Sequence, residues 1–161
     1  MAGMLFVFDL DFTLWDAGGI WCDQTMPPYR NQNSHIVDAE GRMIVLYPEV
    51  RVILDKLSEK GIPMALASRT HSPDIARRLL ELFGISGHFT FQQIYPGSKV
   101  RHFHYLQRDS GIPYEMMYFF DDEHRNVEEV KSLGVNARRV ASGLRWSEIR
   151  EFQELTVIIG L

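Results

Sequence analysis

The chain has 161 residues, one cysteine, a formal net charge of -4 and an ordinary apolar content that includes ten phenylalanines. That length holds one domain around one core, and the composition excludes a disordered chain and the basic footprint of a nucleic-acid binder. One cysteine excludes an internal disulfide and suits a reducing compartment, and no apolar run reaches the ~20 residues of a membrane helix, so a soluble, cytoplasmic monomer is expected.

Residues 4–8 form a short apolar run without Gly or Pro and predict a buried strand. It ends in Asp9-Leu10-Asp11, two carboxylates that the two-residue period of a strand can present to one region. Two anions held together raise each other's proton affinity and need a cation or a shared proton. Taken alone, the pair is as readily an Asp-rich turn; the polar groups that close later apolar runs are what favour a site.

Residues 15–47 follow, irregular and rich in Gly, Pro, Asn and Gln. Within them, His35-Ile36-Val37-Asp38 and Arg42-Met43-Ile44-Val45-Leu46 flank Gly41 and predict a small β-hairpin. The segment is long for a loop and is expected to be a flap over a binding site. Pro48 opens a helix with Val50, Ile53, Leu54 and Leu57 as its apolar stripe and Gly61 as its stop. Residues 63–67 predict a second buried strand, ending at Ser68-Arg69-Thr70. Ser72 as N-cap and Pro73 at the first helical position begin a helix with Ile75, Leu79, Leu82 and Phe83 inward and Gly84 as its end.

A third strand over 89–94 leads through Tyr95-Pro96-Gly97-Ser98-Lys99 into a helix with Val100, Phe103 and Leu106 as its stripe. The fourth strand, 116–120, runs into Asp121-Asp122-Glu123; a helix with Val127, Val130 and Leu133, a fifth strand over 135–140 and a last helix over 146–155 complete the chain. Strands alternating with single helices imply right-handed βαβ units, hence an α/β fold of three layers with a parallel sheet between helices. Such sheets bind ligands beyond the carboxyl ends of their strands, where Asp9, Asp11, Ser68, Lys99, Asp121 and Asp122 would meet.

Carboxylates from two strand ends suit Mg²⁺, which takes one or two of them and leaves room for a phosphate oxygen. A lysine and a hydroxyl can hold the remaining phosphoryl oxygens. One carboxylate of the first pair can attack phosphorus while its neighbour protonates the leaving oxygen and later deprotonates water.

Asp9-x-Asp11-x-Thr13, Ser68, Lys99 and Asp121-Asp122 resemble the four ordered motifs of the haloacid dehalogenase (HAD) superfamily. Phe8-Asp9-Leu10-Asp11-Phe12-Thr13-Leu14-Trp15, Leu46-Tyr47-Pro48-Glu49-Val50, Ala67-Ser68-Arg69-Thr70, Ile94-Tyr95-Pro96-Gly97-Ser98-Lys99 and Phe119-Phe120-Asp121-Asp122-Glu123 narrow the resemblance to its magnesium-dependent phosphatases, of acid phosphatase type. The resemblance implies a HAD-like Rossmannoid fold, Asp9 as nucleophile and Asp11 as general acid/base. It implies Mg²⁺ held by Asp9, the backbone carbonyl of Asp11 and a carboxylate of either Asp121 or Asp122. Ser68 and Lys99 would bind the phosphoryl group, with Arg69 reaching the substrate, a phosphorylated protein tyrosine, sugar or sugar-modified amine. Only the flap and one helix–strand unit fill the positions where relatives carry cap domains, so a single capless domain with an open site is expected.

Other features carry less. His102 and His104 would lie about 200° apart on a helix and cannot share a metal; a surface position is expected for them. Cys22 lacks the C-x₅-R of a cysteine phosphatase, and Gly97-Ser98-Lys99 lacks the earlier glycine of a P-loop. Arg138 and Arg139 read as exposed charges, Asn126 as an anchor for the acidic loop, and Trp15 and Trp21 as residues that stack on substrate or pack beneath the flap. A phospho-accepting receiver domain uses similar residues, but with its acidic pair first and its lysine last. The order here, together with Asp11, favours an enzyme over that alternative, and a catalytically silent binding domain would be expected to have lost one of these side chains.

Overall fold

The computed structural model describes residues 3–160. Its elements run β1 (Leu5–Phe8), β2 (Trp15–Asp16), β3 (Arg30–Gln32), β4 (His35–Val37), β5 (Met43–Leu46), α1 (Val50–Glu59), β6 (Met64–Ser68) and α2 (Pro73–Phe83). They continue through β7 (Phe89–Ile94), α3 (Lys99–Ser110), β8 (Met117–Asp121), α4 (His124–Lys131), β9 (Asn136–Arg139), α5 (Trp146–Arg150) and α6 (Gln153–Ile159).

Five strands form a parallel sheet in the order β7-β6-β1-β8-β9, as the alternation of strands and helices predicts. β1 is the middle strand and all four of its residues are buried. Its side chains alternate: Phe6 and Phe8 pack into the layer holding Ile53, Leu57, Leu79 and Ile149, whereas Leu5 and Val7 pack against Phe103, Leu106, Val127 and Val130. Helices α1, α2, α5 and α6 therefore cover one face, and α3 and α4 the other. The strand order reverses at β1, which puts the switch point between β1 and β8. Phe8 pairs with Phe120 in register, so Asp9 and Asp121 leave the sheet side by side, both on the α3 face by the same alternation.

Residues 15–46 are more ordered than their composition predicts. The expected hairpin exists, with Ile36 opposite Ile44 and Gly41 at φ +84° in its turn, but it belongs to a four-stranded antiparallel sheet ordered β2-β5-β4-β3. The Asp38 carboxylate holds this unit together by accepting the backbone N–H groups of Met26, Glu40 and Arg42. Polar strands such as Arg30–Gln32 escape a hydrophobic-pattern reading because both of their faces meet water.

Several helical expectations need correction. Pro48 lies in the turn before α1, which starts at Val50. In α2 the buried face is Ala76, Leu79, Leu80 and Phe83, with Ile75 and Leu82 only half-buried. The last helix is two: Phe152 breaks it by turning its ring edge-on to Tyr118 and Phe120, at centroid distances of 5.1 and 5.9 Å.

The segment after β9 returns across the sheet's carboxyl edge, where Leu144 N–H donates to the Thr13 carbonyl at 2.8 Å. Gly143 has φ +78°, and a Cβ there would overlap the Cγ edge of the Tyr47 ring. Gly143→Ala is expected to cost about 2–3 kcal/mol through strain and overpacking, a fall of roughly 4–12 °C in Tm measured by calorimetry.

Candidate active site

A cavity of about 150 Å³ opens at the carboxyl edge of the parallel sheet, lined by Asp9, Asp11, Ser68, Arg69, Lys99 and Asp122, with Trp21 and Arg125 among its other lining residues. Asp121 lies directly behind it. The residues singled out in the sequence thus converge, from three strand ends and the start of one helix.

Asp9 follows β1 and is anchored through its N–H to the Phe120 carbonyl at 3.1 Å. One carboxylate oxygen, Oδ1, accepts Lys99 Nζ at 2.8 Å; the other, Oδ2, accepts the Thr13 hydroxyl at 3.2 Å. Burial raises its pKa well above the usual range and the Asp121 charge adds to this, with Lys99 opposing both. The chain then folds back sharply. Phe12 takes φ +62°, and the Leu10 carbonyl collects N–H groups from Thr13, Leu14 and Trp15 at 3.1, 2.9 and 3.3 Å.

That turn, with the flap, immobilises Asp11. Its Oδ1 accepts the Trp15 indole N–H at 2.8 Å and the Cys22 backbone N–H at 2.9 Å. Burial raises the Asp11 pKa, and those two donors oppose the shift. Oδ1 takes both of these donors, and the Cys22 thiol also lies against the carboxylate. Trp15 is fully buried and stacked on Phe83, so of its two expected roles it packs beneath the flap. Trp21 remains 51% exposed at the cavity mouth.

Lys99 opens α3 and is 1% exposed; its Nζ bridges Asp9 Oδ1 at 2.8 Å and Asp121 Oδ2 at 2.6 Å. Burial works against its charge, but the two carboxylates prevail and raise its pKa. Asp121 accepts on both oxygens: Oδ2 also accepts Asn126 Nδ2 at 3.1 Å, and Oδ1 accepts the Glu123 N–H at 2.8 Å. Asn126 is the expected anchor of the acidic loop, and its Oδ1 additionally takes Arg69 Nη1 at 3.0 Å. Asp122 faces the cavity, with its pKa pushed up to about 6, mainly by burial. Carboxylate oxygens of Asp9, Asp121 and Asp122 lie within 4.8 Å of one another, a hard-oxygen donor set that fits Mg²⁺. The Asp11 carboxylate is not in that group.

Ser68 ends β6, with Oγ accepting the Thr70 N–H at 3.3 Å. The inward stripe of α3 is Lys99, His102, Phe103 and Leu106, whereas Val100 is 37% exposed. His102 is therefore buried, not at the surface as expected; His104 is exposed. The i, i+3, i+4, i+7 spacing of that stripe was the signal, overlooked because a lysine and a histidine head it. Arg138 is also not a free surface charge: it is half-buried and pairs with Glu148 at 3.3 Å. Cys22 is buried, and burial followed by the Asp11 charge pushes its thiol up, so it is no nucleophile.

Two outcomes follow from these burials. Lys99→Met leaves Asp9 and Asp121 facing each other without a cation and is expected to cost about 3–5 kcal/mol in magnesium-free denaturant titrations. The Cys22 thiol should resist iodoacetamide in the folded protein and react on unfolding, as mass spectrometry would show.

A family model described as Acid Phosphatase matches residues 2–154. The chain is 43% identical over 142 residues to magnesium-dependent phosphatase 1 of Homo sapiens, covering 87% of this chain and 79% of that protein. It is 38% identical over 142 residues to a HAD-like hydrolase superfamily protein of Schizosaccharomyces pombe, covering 80% of each. Among solved structures, a HAD family enzyme of Bacteroides thetaiotaomicron in complex with magnesium and inorganic phosphate shares the fold with a TM-score of 0.63 at 17% identity, over 91% of this chain and 98% of that one. Motif order, sheet topology and these similarities agree: the chain belongs to the acid phosphatase family of the HAD superfamily, in its magnesium-dependent phosphatase branch, and is a HAD-type phosphatase.

Proposed function

We propose that the protein hydrolyses phosphomonoesters in the presence of Mg²⁺ through an aspartyl-phosphate on Asp9, with Asp11 as general acid and base. The observation that carries this reading is the pairing at one cavity wall of Asp9, charge-neutralised by Lys99, with Asp11, whose Oδ1 takes both the indole and the Cys22 backbone donors and whose buried carboxyl has a raised pKa.

The phosphoryl group of the substrate is received by Lys99 Nζ and Ser68 Oγ, which approach it from two different elements. An Asp9 carboxylate oxygen bonds to phosphorus as the bond to the leaving oxygen breaks, and the proton on Asp11 passes to that oxygen. Asp11, now ionised, takes a proton from water. The water oxygen bonds to phosphorus, the Asp9–phosphorus bond breaks, and inorganic phosphate leaves with Asp9 restored. Asp9, Asp121 and Asp122 are the carboxylates that would hold the metal; Asp121 is also tied to Lys99, Asn126 and the Glu123 N–H, whereas Asp122 faces the cavity. When bound there, Mg²⁺ supplies positive charge that offsets both the phosphoryl oxygens and the repulsion among the carboxylates.

The substrate is read from the mouth. The chain forms one capless domain, and an exposed indole at Trp21, with Arg69 and Arg125 lining the same cavity, favours a planar aryl leaving group, so phosphotyrosine in a protein fits best.

Asp9→Asn should abolish hydrolysis of p-nitrophenyl phosphate while leaving the melting curve folded and cooperative; unchanged turnover would remove Asp9 as nucleophile. Asp11→Asn should slow turnover about 10²–10⁴-fold. EDTA should inactivate the enzyme reversibly, with Mg²⁺ restoring activity and raising Tm.

A further inference from the structure

His102 is wholly buried and does not line the cavity, yet its ring reaches three backbone carbonyls. Nε2 lies 3.0 Å from the Ser68 carbonyl and 2.9 Å from that of Tyr95, and Nδ1 lies 3.0 Å from that of Ser98. The ring also stacks on Tyr95, with centroids 4.2 Å apart and planes 8° from parallel. Leucine or phenylalanine would fill such a core position without the cost of burying a polar ring. The three carbonyls mark three separate parts of the site: the end of β6, the turn after β7, and the N-cap residue that precedes Lys99.

Burial, and then the Lys99 charge, lower the imidazole pKa, and the hydrogen bonds to the Ser98, Tyr95 and Ser68 carbonyls oppose that shift. A proton on Nε2 serves both Ser68 and Tyr95. On Nδ1 it would serve only Ser98, whose carbonyl already takes the Arg101 N–H at 3.1 Å. The Ser68 carbonyl receives a second donor, the Tyr95 N–H at 3.0 Å, and is thereby fixed toward α3. Across a trans peptide the C=O of one residue and the N–H of the next are antiparallel. Anchoring the Ser68 carbonyl therefore also sets the direction of the Arg69 N–H, in a segment whose Ser68, Arg69 and Thr70 all line the cavity.

We propose that His102 is a positioning residue that locks the Ser68–Arg69 peptide to the first turn of α3, so that Ser68 Oγ, the Arg69 N–H and Lys99 Nζ converge on one phosphoryl group. This rests on the phosphatase reading, and it goes further: the phosphate-binding donors come from two elements, and His102 sets the distance between them.

The test compares His102→Leu, which removes the donor, with His102→Gln, whose amide nitrogen reaches about as far as Nε2, and His102→Asn, whose amide reaches only as far as Nδ1. Three quantities are measured: kcat and KM for p-nitrophenyl phosphate, the Kd of inorganic phosphate by calorimetry with saturating Mg²⁺, and Tm. His102→Leu should lower kcat/KM about 10–100-fold, the usual effect of losing a partner that orients a site residue, and weaken phosphate binding about as much. His102→Gln should recover most of both and His102→Asn little, although the two lower Tm similarly. Phosphate affinity and turnover at wild-type level in His102→Leu would overturn the proposal, as would equal losses in the Gln and Asn variants that follow Tm. If His102→Leu does not fold, the Gln–Asn pair decides alone. Wild-type protein that binds phosphate but hydrolyses no ester would sink the functional reading, while the phosphate affinities of the variants would still judge His102.

Discussion

The Lys99 ammonium, buried between Asp9 and Asp121, is the interaction on which the rest of the site depends. Desolvating three charges costs several kcal/mol for each, and in general replacing such a group by packed apolar residues is neutral or stabilising. Its presence at the end of the central strand is therefore a cost that chemistry, not stability, accounts for. The arrangement also demands accurate placement of a whole helix. Phe103 meets Phe119 edge-on at 4.9 Å, and Leu106 packs into the same layer with Val7, which fixes the height and rotation of α3 and carries Lys99 to the two carboxylates. Lys99 Nζ also sits 5.2 Å from the centre of the Phe119 ring, whose π face favours a cation.

A second constraint acts on the acid. Phe12 is a bulky residue in the left-handed region, a conformation that costs roughly 1–3 kcal/mol and persists only where its surroundings impose it. Here the Leu10 carbonyl, three N–H donors and the Trp15 indole impose it. The result is that the indole and the Cys22 N–H hold Asp11 through the same oxygen. Because one of the two donors is the Cys22 backbone, the flap is a structural part of the acid's environment. Asp38 in turn ties the flap's own strands, so the antiparallel sheet supports chemistry several residues away from it.

Much of the parallel sheet and its helices was legible in the chain because periods of two and 3.6 recur in long apolar runs, as in residues 4–8 and in Val50, Ile53, Leu54 and Leu57. The flap was legible only at its hairpin. Arg30–Gln32 is polar on both faces, and its pairing with β4 comes from backbone hydrogen bonds that leave no hydrophobic pattern. The inward position of His102, the break at Phe152 and the partner of Arg138 were hidden for a related reason: each is decided by a group from a distant element.

The sequence by itself determined the class of fold, the positions where strands end in carboxylates, a hydroxyl or a lysine, and hence the inventory of a phosphoryl-transfer site, since all of these depend on local periodicity and residue chemistry. Only the tertiary structure decided how Asp121 and Asp122 divide their contacts, Asp121 bound to Lys99 and Asn126 and Asp122 open to the cavity. It also decided which Asp11 oxygen takes the indole and backbone donors. Adjacent carboxylates, and the two oxygens of one carboxylate, are chemically equivalent along the chain, and become different only when donors from other elements arrive on one side of them.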